Sequence, residues 1–532
     1  MKPSAYQLKI YYFVEAGRGD GIVRAVAGSG KTTTIVAAAN LVRSPAVLFL
    51  AFNREIVKEL RSRLKPTIAA RTLNALGHVT LQAHLNRRLE IEDYKYDRIV
   101  SAFLKQRYAW LRGEPRKETK RAILDLVSYA QSGLVDPPDV AGMQRLVTHF
   151  GIDLPTASAP MPAEIYALAG EAMAEGEELA RDAGIVSFED QIWLCARWEL
   201  TPTPADFIFV DEAQDLGPAK MQLVLSARAP GGRILWVGDP RQAIYGFAGA
   251  DSRSMDAIEA ATGSRVLDLS VCYRCPSAHL ELARKIVPSI ETAPNAPAGT
   301  IASIGSKALA KIVRNGDLIL CRKTAPLIQT CLELITAKVP ARVKGRDLGR
   351  QLVEAAEAAL GTLPWSDFGE ALDIYRDRKL ALLRKKEGGE KKISALLDTI
   401  ASLHALHEAF DTVEDFDGFS RSVKGIFSDD AAVVELSTIH RAKGLESDRV
   451  FLIDYASMPM VWAGQQPWEL EQEMNLKYVA LTRSRSELYF VNTEESAPAT
   501  AAAPAQAVLP ETSVPIADLV SASAEPRELA LL

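Results

Sequence analysis

The sequence predicts an α/β protein of two lobes, each a parallel sheet flanked by helices, with two helical insertion subdomains. Three observations carry this. Short apolar runs rich in β-branched and aromatic residues are spread along the chain, and several lead into helical periodicity, as in sheets covered by helices on both faces. Between these runs lie two long stretches dominated by Ala, Leu, Glu, Lys and Arg, with few strand signals. Finally, 532 residues are too many for one core. At roughly 100–200 residues per domain, about three or four units are expected.

The strand candidates are Ile22–Val26, Val47–Leu50, Phe207–Val210, Ile234–Val237, Leu318–Leu320, Val433–Leu436, Val450–Ile453 and Leu488–Val491. They place a first lobe over residues 1–88 and 186–266, interrupted by a helical insertion over 89–185. A second lobe covers 267–350 and 432–495, interrupted by a smaller helical insertion over 351–431. Residues 496–532 are rich in Ala, Pro and Ser and poor in aromatics, which predicts a flexible tail or one with a short terminal helix. No repeat of fixed period is visible.

Hydrophobic residues at 48% and charged residues at 24% fit a folded, soluble protein. No apolar segment follows Met1-Lys2-Pro3-Ser4, and no stretch approaches the roughly 18 apolar residues of a membrane span. The expected location is therefore cytoplasmic, with no membrane partner. Five scattered cysteines argue against a disulfide framework. Cys272 and Cys275 form a CxxC pair, but no second pair or nearby His completes a zinc site. The net charge of −5 removes a global basic excess, so contact with a polyanion must be local. Arg107–Arg121, interleaved with Tyr108 and Trp110, and Arg376–Lys392 are basic enough to serve, although such runs are commonly solvated helix faces.

Ala25-Val26-Ala27-Gly28-Ser29-Gly30-Lys31-Thr32 follows a strand candidate and opens a helix through Thr33, the context of a phosphate-binding loop. Gly28 and Gly30 let backbone N–H groups approach phosphates, Lys31 reaches the β and γ phosphates, and Thr32 ligates Mg²⁺. Ala25 stands where the usual pattern has its first glycine. Phe207–Val210 runs into Asp211-Glu212-Ala213-Gln214-Asp215, so a second strand ends in a carboxylate pair. Asp211 is expected to hold Mg²⁺, usually through water, and Glu212 to orient and deprotonate the attacking water of an ATP-hydrolysing site.

These motifs continue in order: LAFNREIVKEL at 50–60, TLNALGH at 72–78, VGDPRQAIYGFAGAD at 237–251, LSVCYRCP at 269–276, STIHRAKGLE at 437–446 and EMNLKYVALTRSRSEL at 473–488. The set resembles the UvrD/Rep/PcrA branch of superfamily 1 DNA helicases over about residues 7–491, with some likeness to the F-box DNA helicase group. The resemblance implies two RecA-like P-loop NTPase lobes, 1A and 2A, with insertions 1B and 2B. It implies that Gln7 reads adenine, that Ala27 to Thr33 cradle the phosphates, and that Gln242, Arg274 and Arg483 contact the γ-phosphate. Glu446 would contact the ribose and Tyr273 stack on the base. Tyr245 and Phe247 stand where the family stacks DNA bases, and Phe52, Asn53, Arg54, Thr72 and His440 lie in motifs that line the strand. Two departures are Ala248, where the family usually has Arg, and Asn74, where it commonly has His.

The expected activity is ATP- and Mg²⁺-dependent translocation 3′ to 5′ on single-stranded DNA with unwinding at duplex junctions. Polarity comes from the resemblance alone. No nuclease segment follows the last motif, and both insertions are shorter than in the large bacterial enzymes. The rival readings are a translocase that strips proteins from DNA, an ATP-regulated nucleic-acid-binding protein, and a motor on RNA. The chain is expected to be monomeric or weakly self-associating and to meet replication or recombination proteins. It would be nucleoid-associated, or in host cytoplasm if phage-encoded.

Overall fold

The computed structural model describes residues 2–155, 160–246, 253–384, 389–427 and 434–492. Phe247, Ala248 and the tail from 496 lie outside the described residues. The described residues form two compact units: 2–26 with those of 30–270, and 27–29 with those of 271–492. Each contains a six-stranded, wholly parallel sheet flanked by helices, so the two lobes are RecA-like. Among the described residues, no helix is long and apolar enough to cross a membrane.

In the first unit the strand order is Ile68–Thr72, Val47–Ala51, Ala205–Val210, Arg228–Gly238, Gly21–Ala25, Arg265–Leu269. Strand side chains alternate between faces, and this period of two separates two cores. Leu48, Leu50, Ile208, Val210, Ile234 and Trp236 join a core shared with the helical stretch that follows. Phe49, Ala51, Phe207, Phe209, Leu235 and Val237 face the opposite core, which contains the phosphate-loop helix and the N-terminal helix. Both faces of the central strands are covered, and each buried large side chain contributes about 1.5–3 kcal/mol.

The N-terminal helix, Ala5–Ala16, starts with a capping box in which the Gln7 N–H donates to Ser4 Oγ (3.2 Å) and the Ser4 N–H donates to Gln7 Oε1 (2.9 Å). Its C-terminal end is held by Arg233, which donates to the carbonyls of Phe13 (2.7 Å) and Val14 (3.0 Å) and lies over the Phe13 and Phe207 rings. A cation there opposes the negative end of the helix dipole.

Helices Lys95–Arg107, Gly113–Gly133, Val140–Phe150 and Pro162–Ala183 form the helical stretch of this unit. At its centre is a polar network. The Lys95 ammonium donates to Asp190 Oδ2 (2.6 Å) and to the carbonyls of Gly176 (2.6 Å) and Ile185 (2.9 Å). Asp190 also accepts from Tyr96 Oη (2.7 Å), Gln131 Nε2 (2.9 Å) and the Ser187 N–H (2.8 Å).

The second sheet has the order Thr300–Gly305, Ser484–Asn492, Ser447–Ile453, Asp317–Cys321, Val434–Thr438, Ala341–Val343. One face shares a core with helices Arg346–Leu360, Phe368–Leu383, Glu390–Ala409 and Phe416–Ile426. Asp398, from the third of these, accepts the N–H groups of Thr324 (2.8 Å) and Ala325 (2.9 Å) at the start of the lobe helix Ala325–Thr336. A carboxylate there satisfies two N–H groups that the helix itself leaves without acceptors.

All strand candidates fall on observed strands, although Val26 lies past the end of its strand and Val433 lies outside the described residues. In the two six-stranded sheets, four strands were not expected from the sequence: Ile68–Thr72, Arg265–Leu269, Thr300–Gly305 and Ala341–Val343. They are the four edges of those sheets. An edge strand is covered on fewer sides, so it tolerates polar and small residues and carries no continuous apolar run.

Candidate functional site

The strand Gly21–Ala25 leads through a tight loop into the helix Lys31–Leu41. Gly28 (φ 67°) and Gly30 (φ 76°) occupy the left-handed region, which side chains other than glycine rarely adopt. The Lys31 ammonium is buried and lies 3.3 Å from Glu212 Oε1, longer than the roughly 2.7–2.9 Å of a tight N⁺–H···O⁻ bond. Neither Lys31 Nζ nor Ser29 Oγ has a hydrogen-bond partner among the described residues. Burial pulls the Lys31 pKa down, but Glu212, Asp239 and Asp211 more than offset it, leaving a firmly protonated lysine. A buried ammonium and hydroxyl beside a glycine turn at a helix N-terminus fit a polyphosphate.

Asp211 and Glu212 stand at the end of the strand Ala205–Val210. The Asp211 N–H donates to the Leu50 carbonyl (3.0 Å), and the Glu212 N–H donates to Asp211 Oδ1 (2.9 Å). Glu212 has φ 54°, an uncommon conformation for a residue with a side chain and one found at functional sites. Gln242 donates to Asp239 Oδ2 (2.7 Å), and the buried Asp239 pKa is raised by desolvation against the pull of Lys31. Lys31, Glu212 and Gln242 thus gather around Asp239, which the sequence reading did not single out. Its signal was its position between the strand end Gly238 and Pro240.

Gln7 Nε2 donates to Thr34 Oγ1 (2.9 Å), and Thr34 donates to the Gly30 carbonyl (2.8 Å). Gln7 is therefore anchored to the phosphate-loop helix. The neighbouring Thr33 accepts from Arg63 Nη2 (3.2 Å), while Thr32 is half-buried at the helix start.

On the same unit, the rings of Phe52 and Tyr245 lie nearly parallel, with an interplanar angle of 6° and centroids 6.3 Å apart. Phe52 is 50% exposed and Arg54 is exposed. Asn53 and Thr72 are helix N-caps, accepting from the N–H groups of Ile56 (2.8 Å) and Ala75 (3.1 Å). Asn74 Nδ2 donates to the carbonyl of Phe188 (2.9 Å), whose exposed ring the sequence reading passed over.

The other site candidates belong to the second unit. Arg274 pairs with Glu446 (2.5 Å) and donates to the Thr482 carbonyl (3.3 Å). Arg483 is 1% exposed and donates to the carbonyls of Val479 (3.0 Å) and Leu445 (3.3 Å) and to Thr482 Oγ1 (3.1 Å). Tyr273 is partly exposed. Cys272 and Cys275 are buried, and the Cys275 N–H donates to Cys272 Sγ (3.4 Å).

Burial first, and then Arg322, Lys391 and Arg441, pull the His440 pKa down to about 3. The unfolded chain takes up a proton near the ordinary value of about 6.5. The folded chain does not until about pH 3, so stability falls as pH drops through this window. His440→Gln is expected to lose less thermal stability than wild type between about pH 7 and 5. Equal losses in the two proteins would refute the assignment.

A glycine-turned phosphate loop after one strand of a parallel sheet, with a carboxylate pair at the end of a strand two places along that sheet, defines a P-loop nucleotide-binding protein. Residues 12–262 match the UvrD/REP helicase N-terminal domain, and residues 369–495 match the UvrD-like helicase C-terminal domain. The chain belongs to the UvrD-like superfamily 1 DNA helicases, an ATP-binding and DNA-binding family. It is 25% identical to the ATP-dependent DNA helicase UvrD2 of Mycobacterium tuberculosis, over 89% of this chain and 77% of that protein. It is 22% identical to chicken F-box DNA helicase 1 over 87% of this chain and 46% of the relative. For the fission-yeast F-box DNA helicase protein 1 the identity is 21%, over 88% of this chain and 55% of the relative. The chain thus spans about half the length of the F-box relatives.

Proposed function

We propose that the chain is an ATP-driven helicase that translocates 3′ to 5′ on single-stranded DNA and separates duplex ahead of it. The observation that carries the chemistry is the buried Lys31 ammonium at a helix N-terminus behind a glycine turn, ion-paired with Glu212 at 3.3 Å and held charged by Asp239 and Asp211. In this reading Lys31 and the loop N–H groups of Ala27 to Thr33 neutralise the phosphates of ATP. Thr32 and Asp211 would hold Mg²⁺, which would supply charge stabilisation for phosphoryl transfer. Glu212 orients the attacking water and takes its proton. Gln242, Arg274 and Arg483 stabilise charge on the transferring group. Gln7, Tyr273 and Glu446 serve adenine and ribose. Asn53, Arg54, Thr72 and His440 line the DNA strand, and the working form is a monomer or a weakly self-associating chain in the cytoplasm.

Phe52 and Tyr245 would hold the strand by stacking, which grips any base because every base has a π-face. Removing either ring is expected to weaken single-stranded DNA binding by roughly 1–3 kcal/mol, with hydrolysis in the absence of DNA kept. Unchanged affinity in both variants would return these rings to a packing role. Strand displacement on duplexes with 3′ or 5′ single-stranded tails tests the motor. Displacement from 3′ tails is expected. Displacement only from 5′ tails overturns the polarity, and ATP-driven protein removal without displacement establishes the stripping translocase instead.

A further inference from the structure

We infer that Gln214 is a positioning residue for hydrolysis, a neutral bridge that aims the Glu212 carboxylate and ties it to the Asp239–Gln242 segment. The inference rests on the reading of Glu212 as the general base. Gln214 is fully buried. Its Nε2 donates to Glu212 Oε2, with Asp215 Oδ2 a more distant acceptor at 3.4 Å, and its Oε1 accepts the Asp239 N–H at 3.0 Å. A carboxylate can only accept and a backbone N–H can only donate, so the orientation of the amide is determined by its partners. Asp239 in turn accepts from the Arg241 N–H (3.0 Å) and from Gln242 Nε2 (2.7 Å). One continuous hydrogen-bonded path therefore runs from Glu212 through Gln214 and Asp239 to Gln242.

The local backbone is shaped to admit this amide. A Cβ on Gly238 would lie 2.4 Å from Gln214 Oε1 and 3.0 Å from the Gln214 nitrogen, so only glycine leaves room. Glu212 sits at φ 54°, and the Gln214 amide holds one oxygen of its carboxylate while the Lys31 ammonium lies 3.3 Å from the other. No other common residue repeats the bridge. Glutamate, when ionised, would add a further negative charge and lose the donor, asparagine is one methylene short, and methionine has the length without the polar atoms.

Losing the donor should lower kcat and leave the KM for ATP nearly in place, whereas a general loss of structure would move both. The test is DNA-stimulated ATP hydrolysis by the full chain carrying Gln214→Met or Gln214→Asn, with kcat and the KM for ATP measured separately. Expected are a kcat lower by about tenfold or more and a KM for ATP within about twofold of wild type. Gly238→Ala, which displaces the amide without removing it, should show the same defect and decides the matter if the Gln214 variants do not fold. Wild-type kcat in folded variants would overturn the bridge. Glu212→Gln separates the two readings: if it is inactive while Gln214→Met is normal, only the bridge falls, and if it retains turnover, the general-base reading falls.

Discussion

Lys31→Ala is expected to lower DNA-stimulated ATP hydrolysis by at least about 100-fold, the scale on which a preorganised charge stabilises a transition state. The ammonium is buried 3.3 Å from Glu212 and electrostatically coupled to Asp239 and Asp211. Alanine removes the ammonium from that cluster of carboxylates. The defect should therefore appear in both nucleotide affinity and turnover, because crowded carboxylates then face an incoming polyphosphate without the lysine's counter-charge. Glu212→Gln should separate these effects, keeping ATP binding while losing hydrolysis. Turnover within about tenfold of wild type in Lys31→Ala would displace the nucleotide site from this loop.

Asp190→Ala should destabilise the first unit by about 3–5 kcal/mol, since it leaves a buried charge uncompensated. Lys95 and Asp190 have side chains at 0% exposure, 2.6 Å apart. Burial pulls the Lys95 pKa down, and Asp190 is the chief force that keeps it protonated. Without Asp190 the ammonium retains only two carbonyl acceptors, and Tyr96 and Gln131 lose the carboxylate oxygen they share. Replacing both members, Lys95→Met with Asp190→Leu, should recover much of the loss, because no charge then remains to be desolvated. The denaturation midpoint of the first unit reads both effects. A change of less than about 1 kcal/mol in Asp190→Ala would show that water reaches this network.

The loop from Gly28 to Thr32, the Asp211–Glu212 pair and Gln242 were legible because each lies within a few residues of a strand end and is marked by residue types of narrow use. Gln214 lay inside a motif already read, yet its task was not legible. Its two partners include the backbone of Asp239, 25 positions away, and the bridge exists only when the two strands are neighbours. Asn53 and Thr72 show the reverse case. A motif likeness assigned them to the DNA strand, while their N-cap role was readable locally from an Asn or Thr before a helical run.

The sequence by itself determined the central strands and the phosphate loop, because continuous apolar runs and a glycine turn before a helix are local signals. Only the tertiary structure decided the four sheet edges, whose exposed sides relax the apolar pattern until no run remains. It alone decided that Lys95, an ordinary surface residue by composition, is a core residue, since the partner that makes its burial tolerable lies 95 positions along the chain. Local physics chooses strands, turns and helices. Desolvated charge and shared hydrogen-bond acceptors are settled only when distant segments meet.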